Sequence, residues 1–263
     1  MEDQVTFAAR WRSLPHGGCV AGNRTLSWME RDALERPACA YLGDDAMLVP
    51  LLAHEGLIEL YMAGKDAPAL EGAIAREWPR IAANIGAAPL IVAKGTEGRH
   101  FAPHGFERID ELLYYLLDPL PPGEQHPSVR PAAAHELDAL VMLDRAAFPA
   151  AFQRSRQEMA AHLNEVSVVR VASQGDRLIG FTILQPLGER YHLGAIGVSP
   201  AMQNRGWGKI LLADALATAR LAGAKAVGLT TQASNLSSRA LYERFGMVAT
   251  PAGPVWARRG SQP

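Results

Sequence analysis

Cysteine is scarce in this chain of 263 residues: Cys19 and Cys39 are the only two, and they share no short metal-ligand spacing. Neither a disulfide framework nor a metal centre is expected, and both residues read as free thiols in a reduced, cytoplasmic setting. Charge of one sign is also missing. The formal net charge is −1, so no basic field draws in nucleic acid or an anionic membrane. Long apolar runs are absent too, with no stretch near the roughly 18 residues of a membrane span. Met1 to Ser13 is mixed and charged, unlike a signal peptide.

What is present is ordinary globular material, 48% hydrophobic and 20% charged, too apolar for disorder. The length suits two domains, at about 100–200 residues each. A division is visible at Asp118-Pro-Leu-Pro-Pro-Gly-Glu-Gln-His-Pro127, where four prolines and a glycine resist both helix and central strand. We therefore expect domains at 1–118 and 128–263, joined by a linker over 119–127.

Beyond the linker, Ser128-Val-Arg-Pro131 reads as a short strand. Helical spacing follows over His135–Phe148, with Pro149 marking its end, and again from Ser155 to Asn164. Strands are expected at Val166–Ala172, Leu178–Leu184 and Tyr191–Val198, the first two joined at Gln174-Gly-Asp176. A helix over Trp207–Ala222, a strand over Ala226–Thr231, a helix over Ser237–Phe245 and a last strand at Val255–Arg258 complete the half. Antiparallel strands followed by strand–helix–strand imply an α+β fold with a mixed sheet.

The most informative segment is Val198-Ser-Pro-Ala-Met-Gln203-Asn204-Arg205-Gly206-Trp207-Gly208-Lys209. A strand ends there, and a loop with two glycines opens a helix. The first N–H groups of that helix are left unpaired, and its dipole favours negative charge. Arg205 and Lys209 add positive charge. This is an anion site suited to a pyrophosphate. A P-loop does not fit, because Ile210 follows Lys209 and Gln203 stands where a glycine is needed. A dinucleotide fingerprint lacks its third glycine, having Leu211 there. Gly197-Val-Ser199-Pro-Ala201 nearly spells a nucleophile elbow, but Ala201 spoils it and no histidine follows Ser199.

Gln203-x-x-Gly206-x-Gly208, placed between a strand and a helix, resembles the acyl-CoA pyrophosphate motif of the GNAT superfamily of N-acyltransferases. Asn235-x-x-Ser238-x-x-Leu241-Tyr242-x-x-Phe245-Gly246-Met247 resembles a second motif of that family, with Met247 where phenylalanine is usual. Ser128-Val-Arg-Pro131 and Ala147-Phe148-Pro149 resemble the opening of its fold, so the likeness spans about Ser128 to Arg259.

The resemblance implies that the amides of Arg205, Gly206, Trp207, Gly208 and Lys209 bind the CoA pyrophosphate, with Gln203 and Asn204 also among the cofactor-binding residues. It implies that Ile196 and Val198 offer backbone groups to the pantetheine arm and the thioester carbonyl. Asn235 would orient the pantetheine, and Tyr242 would protonate the leaving thiolate. The donor would be acetyl-CoA and the acceptor a small-molecule or peptide amine, with no metal. An ammonium acceptor must first lose a proton, and His192 and Glu189 are the nearest candidates for a base. Phe152, Gln153 and Arg154, between the first two helices, would lie on the acceptor side. Two other readings stay open: an acyl-CoA-binding sensor that transfers nothing, and a structural protein that binds no CoA. The sequence leaves the oligomeric state open.

The first half is similar to a worn copy of the second. With an offset of 141, His104-Gly105-Phe106-Glu107 falls on Phe245-Gly246-Met247-Val248, Phe101 on Tyr242 and Lys94 on Asn235. Leu42-Gly-Asp44 with Met47–Leu52, then Leu57–Ala63, a helix over Ala69–Asn84 and Leu90–Ala93 follow the same order of elements. Gly64-Lys-Asp-Ala-Pro68 replaces the pyrophosphate motif, and Phe101 has no hydroxyl. The expectation is two tandem GNAT-like domains, each a mixed, mainly antiparallel sheet flanked by helices, with chemistry only in the second. His16-Gly17-Gly18 reads as a turn.

Overall fold

A computed structural model describes residues 13–14, 16–17, 39–54, 57–85, 90–164 and 167–259. Cys19 lies outside them; Cys39 is buried and free, its thiol donating to the carbonyl of Asn84 at 3.3 Å. The chain falls into two compact units, one of residues 1–111 with 253–263 and one of residues 112–252.

The second unit holds strands β7 (Val129–Pro131), β8 (Val168–Gln174), β9 (Arg177–Leu187), β10 (Arg190–Val198) and β11 (Ala226–Gln232). Residues 112–117 of strand β6 (Glu107–Leu117) join them, and the order is β6-β11-β10-β9-β8-β7. All neighbours are antiparallel except β10 and β11, which run parallel. Helices α2 (Leu137–Ala147) and α3 (Arg156–Asn164) cover one face, with Leu140, Leu143 and Met159 packed on Val171, Phe181 and Ile183. On the other face lie α4 (Trp207–Leu221) and α5 (Leu236–Arg244). There Leu212, Leu216 and Tyr242 pack on Leu184, Leu193 and Leu229. The α+β, mainly antiparallel architecture expected from the periodicity is present.

In the first unit β2 (Tyr41–Leu42), β3 (Ala46–His54), β4 (Leu57–Gly64) and β5 (Leu90–Lys94) pair in that order, again with one parallel pair, β4 and β5. Helix α1 (Ala67–Asn84) connects that pair; Asp66 caps it, accepting from the amide of Ala69 at 2.8 Å. Leu70, Ile74, Trp78 and Ile81 of α1 pack on Ile58, Leu60 and Ile91. A short strand β1 (His16–Gly17), expected as a turn, pairs antiparallel with Ala63 and Gly64 of β4.

The expected boundaries move at both ends. Strand β12 (Val248–Arg259) is far longer than the expected Val255–Arg258, and its residues 255–259 pair with β5 in the first unit. Residues 112–117 pair with β11 in the second. The reason is hydrogen bonding: β5 and β11 each have one parallel neighbour and need another strand on the opposite edge, and each takes an antiparallel one from a segment far off in sequence. The proline-rich stretch 119–127 has no helix or strand, as its prolines require, yet it is no free linker. Leu120 is buried, the Gln125 amide donates to Thr218 at 3.0 Å, and the His126 amide donates to Asp214 at 2.8 Å. No helix among the described residues is long and apolar enough to cross a membrane.

Candidate active site

The parallel pairing of β10 with β11 covers only Arg190–His192 against Ala226–Gly228. Beyond it β11 stays paired with β6 and β10 with β9, so the facing edges part and, among the described residues, β10 keeps an edge without a neighbour from Leu193 to Val198. A β-bulge at Gly194 marks the divergence. Ile196 and Val198 lie on this open stretch, half-buried against Leu211 and Met202.

Where β10 ends, the chain turns through Pro200–Met202 into α4. Asn204 (φ 59°) and Gly206 (φ 86°) are both left-handed. At Gly206 glycine is required by that φ, and a Cβ there would point into open space. Gly208 sits close to α5 instead, where a Cβ would come to 3.4 Å from Leu241. Gln203 donates to the carbonyl of Val198 at 3.1 Å and braces the turn.

Gly206 caps α4 without a side chain, and the first backbone bond into the helix is Ile210 N–H to Gly206 C=O at 3.1 Å. Among the described residues, the amides of Asn204, Arg205, Gly206, Trp207, Gly208 and Lys209 have no hydrogen-bond acceptor. Such a run of free donors at a helix N-terminus, flanked by the exposed Arg205 and Lys209, suits a pyrophosphate.

Tyr242 on α5 is 4% exposed, its ring 5.4 Å from that of Tyr115 on β6. Burial pushes its phenol up to about 12; a hydrogen bond with Ser238, one turn back, acts the other way. The hydroxyl stays protonated at neutral pH and can give a proton but not take one. Tyr115, fully buried, donates to Glu243 at 2.9 Å. His192 closes the paired part of β10. Burial lowers its pKa, helped by the positive charge of Arg154, so the ring is neutral at pH 7 and can accept a proton. Its ring has no hydrogen-bond partner among the described residues.

Several expected site residues are held elsewhere. Glu189 is exposed and paired with Lys225 at 2.7 Å, at the closed end of the strand pair, so it does not join the site. Asn235 caps α5: its oxygen accepts from Ser238 N–H at 3.2 Å and its amide reaches Thr231 at 3.5 Å. Gln153 donates to the carbonyls of Phe148 and Arg145 and closes the end of α2. Phe152 lies half-buried in the turn Ala150–Phe152. Arg154 is bound to the buried carboxylate of Asp144 at 2.7 Å rather than left free for an acceptor. Sequence reasoning passed over Tyr115, Asp144 and Gly194; an aspartate on the apolar side of a helix was the available signal for Asp144. Among the described residues, no cluster of His, Cys, Asp or Glu is placed to hold a metal ion.

A parallel strand pair thus parts beside a run of free amides, with a protonated tyrosine on the following helix. Residues 137–247 match the model of the acetyltransferase (GNAT) family. No curated protein matches the chain. Among solved structures, a Pyrococcus horikoshii protein assigned to the acetyltransferases has 15% identity and a TM-score of 0.67, over 99% of this chain and 86% of its own. A GCN5-related N-acetyltransferase from Sphaerobacter thermophilus has 16% identity and a TM-score of 0.57, over 88% and 85%. One from Kribbella flavida has 14% identity and a TM-score of 0.55, over 91% and 95%. At these identities the likeness is one of fold.

Proposed function

We propose that the second unit moves the acetyl group of acetyl-CoA onto a primary amine by direct attack, and that the first unit takes no acyl-CoA. The run of free amides from Asn204 to Lys209 carries the reading, because it offers a charged diphosphate several donors at once. The pantetheine arm would lie along the open edge of β10, beside Ile196 and Val198. The amine nitrogen attacks the thioester carbon, the C–S bond breaks, and Tyr242 gives its proton to the thiolate. His192 takes the proton released by the amine.

The first unit repeats the parallel pair, in β4 and β5, but β1 occupies the edge of β4 at Ala63 and Gly64. Asp66, not a row of free amides, begins its helix. A strand already in place leaves no room for a pantetheine there.

Calorimetric titration with acetyl-CoA tests both parts. One site per chain, lost in a still-folded Gly206→Glu variant, is the expected result. Two sites would show that the first unit binds as well. No binding by the folded wild type would end the acetyl-CoA reading. CoA release on adding amines then separates a transferase from a silent sensor.

A further inference from the structure

Arg154 occupies a sequence position that suggested contact with an acceptor, yet both terminal nitrogens of its guanidinium are directed at this chain. Nη1 donates to the Asp144 carboxylate at 2.7 Å, and the Arg154 backbone amide donates to the other oxygen at 2.7 Å. Nη2 donates to the carbonyl of Gly194. The guanidinium carbon lies over the Phe148 ring, 5.3 Å from its centroid. Asp144 is fully buried and the Arg154 side chain is 17% exposed. A cation tied to a carboxylate, a carbonyl and a ring is no loose loop charge.

Gly194 is the extra residue of the β10 bulge, falling between the pairs Leu193↔Leu184 and Ala195↔Ile183. An extra residue in a strand leaves its carbonyl without a ladder partner and resets the alternation of everything after it. Leu193 accordingly packs toward Leu212 and Tyr242, while Ala195 packs toward Leu140 and Phe181 on the opposite face. Without the bulge these two residues would share a face. The bulge thus decides which backbone groups of Ala195–Val198 point along the edge that β11 leaves open.

We propose that Arg154 is a positioning residue for acyl transfer: clamped on Asp144, it fixes the Gly194 carbonyl and with it the direction of the open β10 edge. This rests on reading that edge as the acyl-CoA channel. Arg154 touches neither thioester nor amine; it acts through the backbone of β10.

The test uses the full chain. Arg154→Lys keeps a cation beside Asp144 but has one ammonium in place of a two-armed fork. Leaving Asp144 buried with a poor partner can unfold the protein, so an Asp144→Asn/Arg154→Met double variant removes both charges together. Amide hydrogen exchange over Ala195–Val198 is measured beside steady-state kinetics, after thermal melts confirm folding. We expect exchange at those amides to quicken about tenfold or more. We expect kcat to fall by about 10–100-fold, the cost of a small misplacement, with KM for acetyl-CoA changed by no more than about twofold. Unchanged exchange in both variants overturns the proposal, as does quicker exchange with kcat intact. If the wild type binds acetyl-CoA and either result appears, only this proposal falls. If the folded wild type neither binds acetyl-CoA nor releases CoA, the channel reading falls and takes the proposal with it.

Discussion

In the proposed reaction, Tyr242 and His192 would divide the two proton transfers by environment rather than by residue type. Burial acts on both, and in each case it disfavours the charged form: the phenol is raised to about 12 and the imidazole is lowered. Replacing Tyr242 with phenylalanine keeps the ring against Tyr115 and Leu193 and removes only the hydroxyl. We expect kcat to fall about 100-fold with the calorimetric affinity for acetyl-CoA unchanged, since a positioned acid contributes on that order. An unaltered kcat would make the hydroxyl a mere polar tip of a core ring. The pH dependence has a definite sign. The basic form of His192 is present above its lowered pKa and is lost as pH falls through it. The acid limb of kcat/KM should therefore lie below histidine's ordinary 6.5 and leave the rate flat through neutrality. His192→Gln should abolish that limb; a limb that survives assigns the base elsewhere.

At the scale of elements, the cradle depends on how firmly α4 is seated. Asp214, fully buried on that helix, accepts from Arg170 Nε and from Nη2 at 2.9 Å, and also from the amide of His126. Arg170 also donates to the carbonyl of Val129 at 2.9 Å, so one ion pair ties α4 to β8, β7 and the proline-rich stretch. Asp214→Ala leaves the buried guanidinium without its carboxylate. A loss of about 3–5 kcal/mol is expected in a urea titration, the usual cost of breaking a buried pair from one side. A loss below about 1 kcal/mol would mean that water reaches Arg170 and replaces the carboxylate. A glycine of a neighbouring strand serves the same seating by a different route: a Cβ at Gly180 would meet Leu211 of α4 at 2.6 Å.

Among the described residues each unit holds one parallel strand pair joined through a helix, and the two pairs differ at their edges. Gly105 and Gly246, set together by the offset of 141, both adopt left-handed φ, at 82° and 78°. The equivalence stops short of the helices: Phe101 sits in a 3-10 helix over Thr96–His104, whereas Tyr242 sits in α5. Each unit takes its closing strand from beyond its sequence neighbours, residues 255–259 for the first and 112–117 for the second. A fragment beginning at Ser128 therefore lacks the strand that covers β11 and the Tyr115 ring beside Tyr242. We expect a fragment of residues 112–252 to melt cooperatively by circular dichroism and one of residues 128–252 to aggregate or melt far lower. Equal melts would show that β6 is dispensable to the second unit.

Local chemistry was enough to read much of this protein from its residues. Alternation and helical spacing placed β8 to β11 and α2 to α5 within a few residues, because each element buries one face and its sequence carries that period. Glycine at position 206 marked the cradle for a similar reason: a left-handed turn before a helix excludes most side chains. Partners far apart in sequence were not legible. Nothing local distinguishes the strand that pairs β11 from any other apolar stretch, nor shows that Arg154 turns to Asp144 and Gly194 while Glu189 turns to Lys225. A side chain's role is fixed by what surrounds it, and those surroundings exist only once the sheet has closed. The sequence by itself determined the elements, the left-handed turn before α4 and the place of Tyr242 on the helix after β11. The tertiary structure decided which strand completes each unit and where β10 opens, because hydrogen bonds and ion pairs between distant segments are settled only in the folded chain.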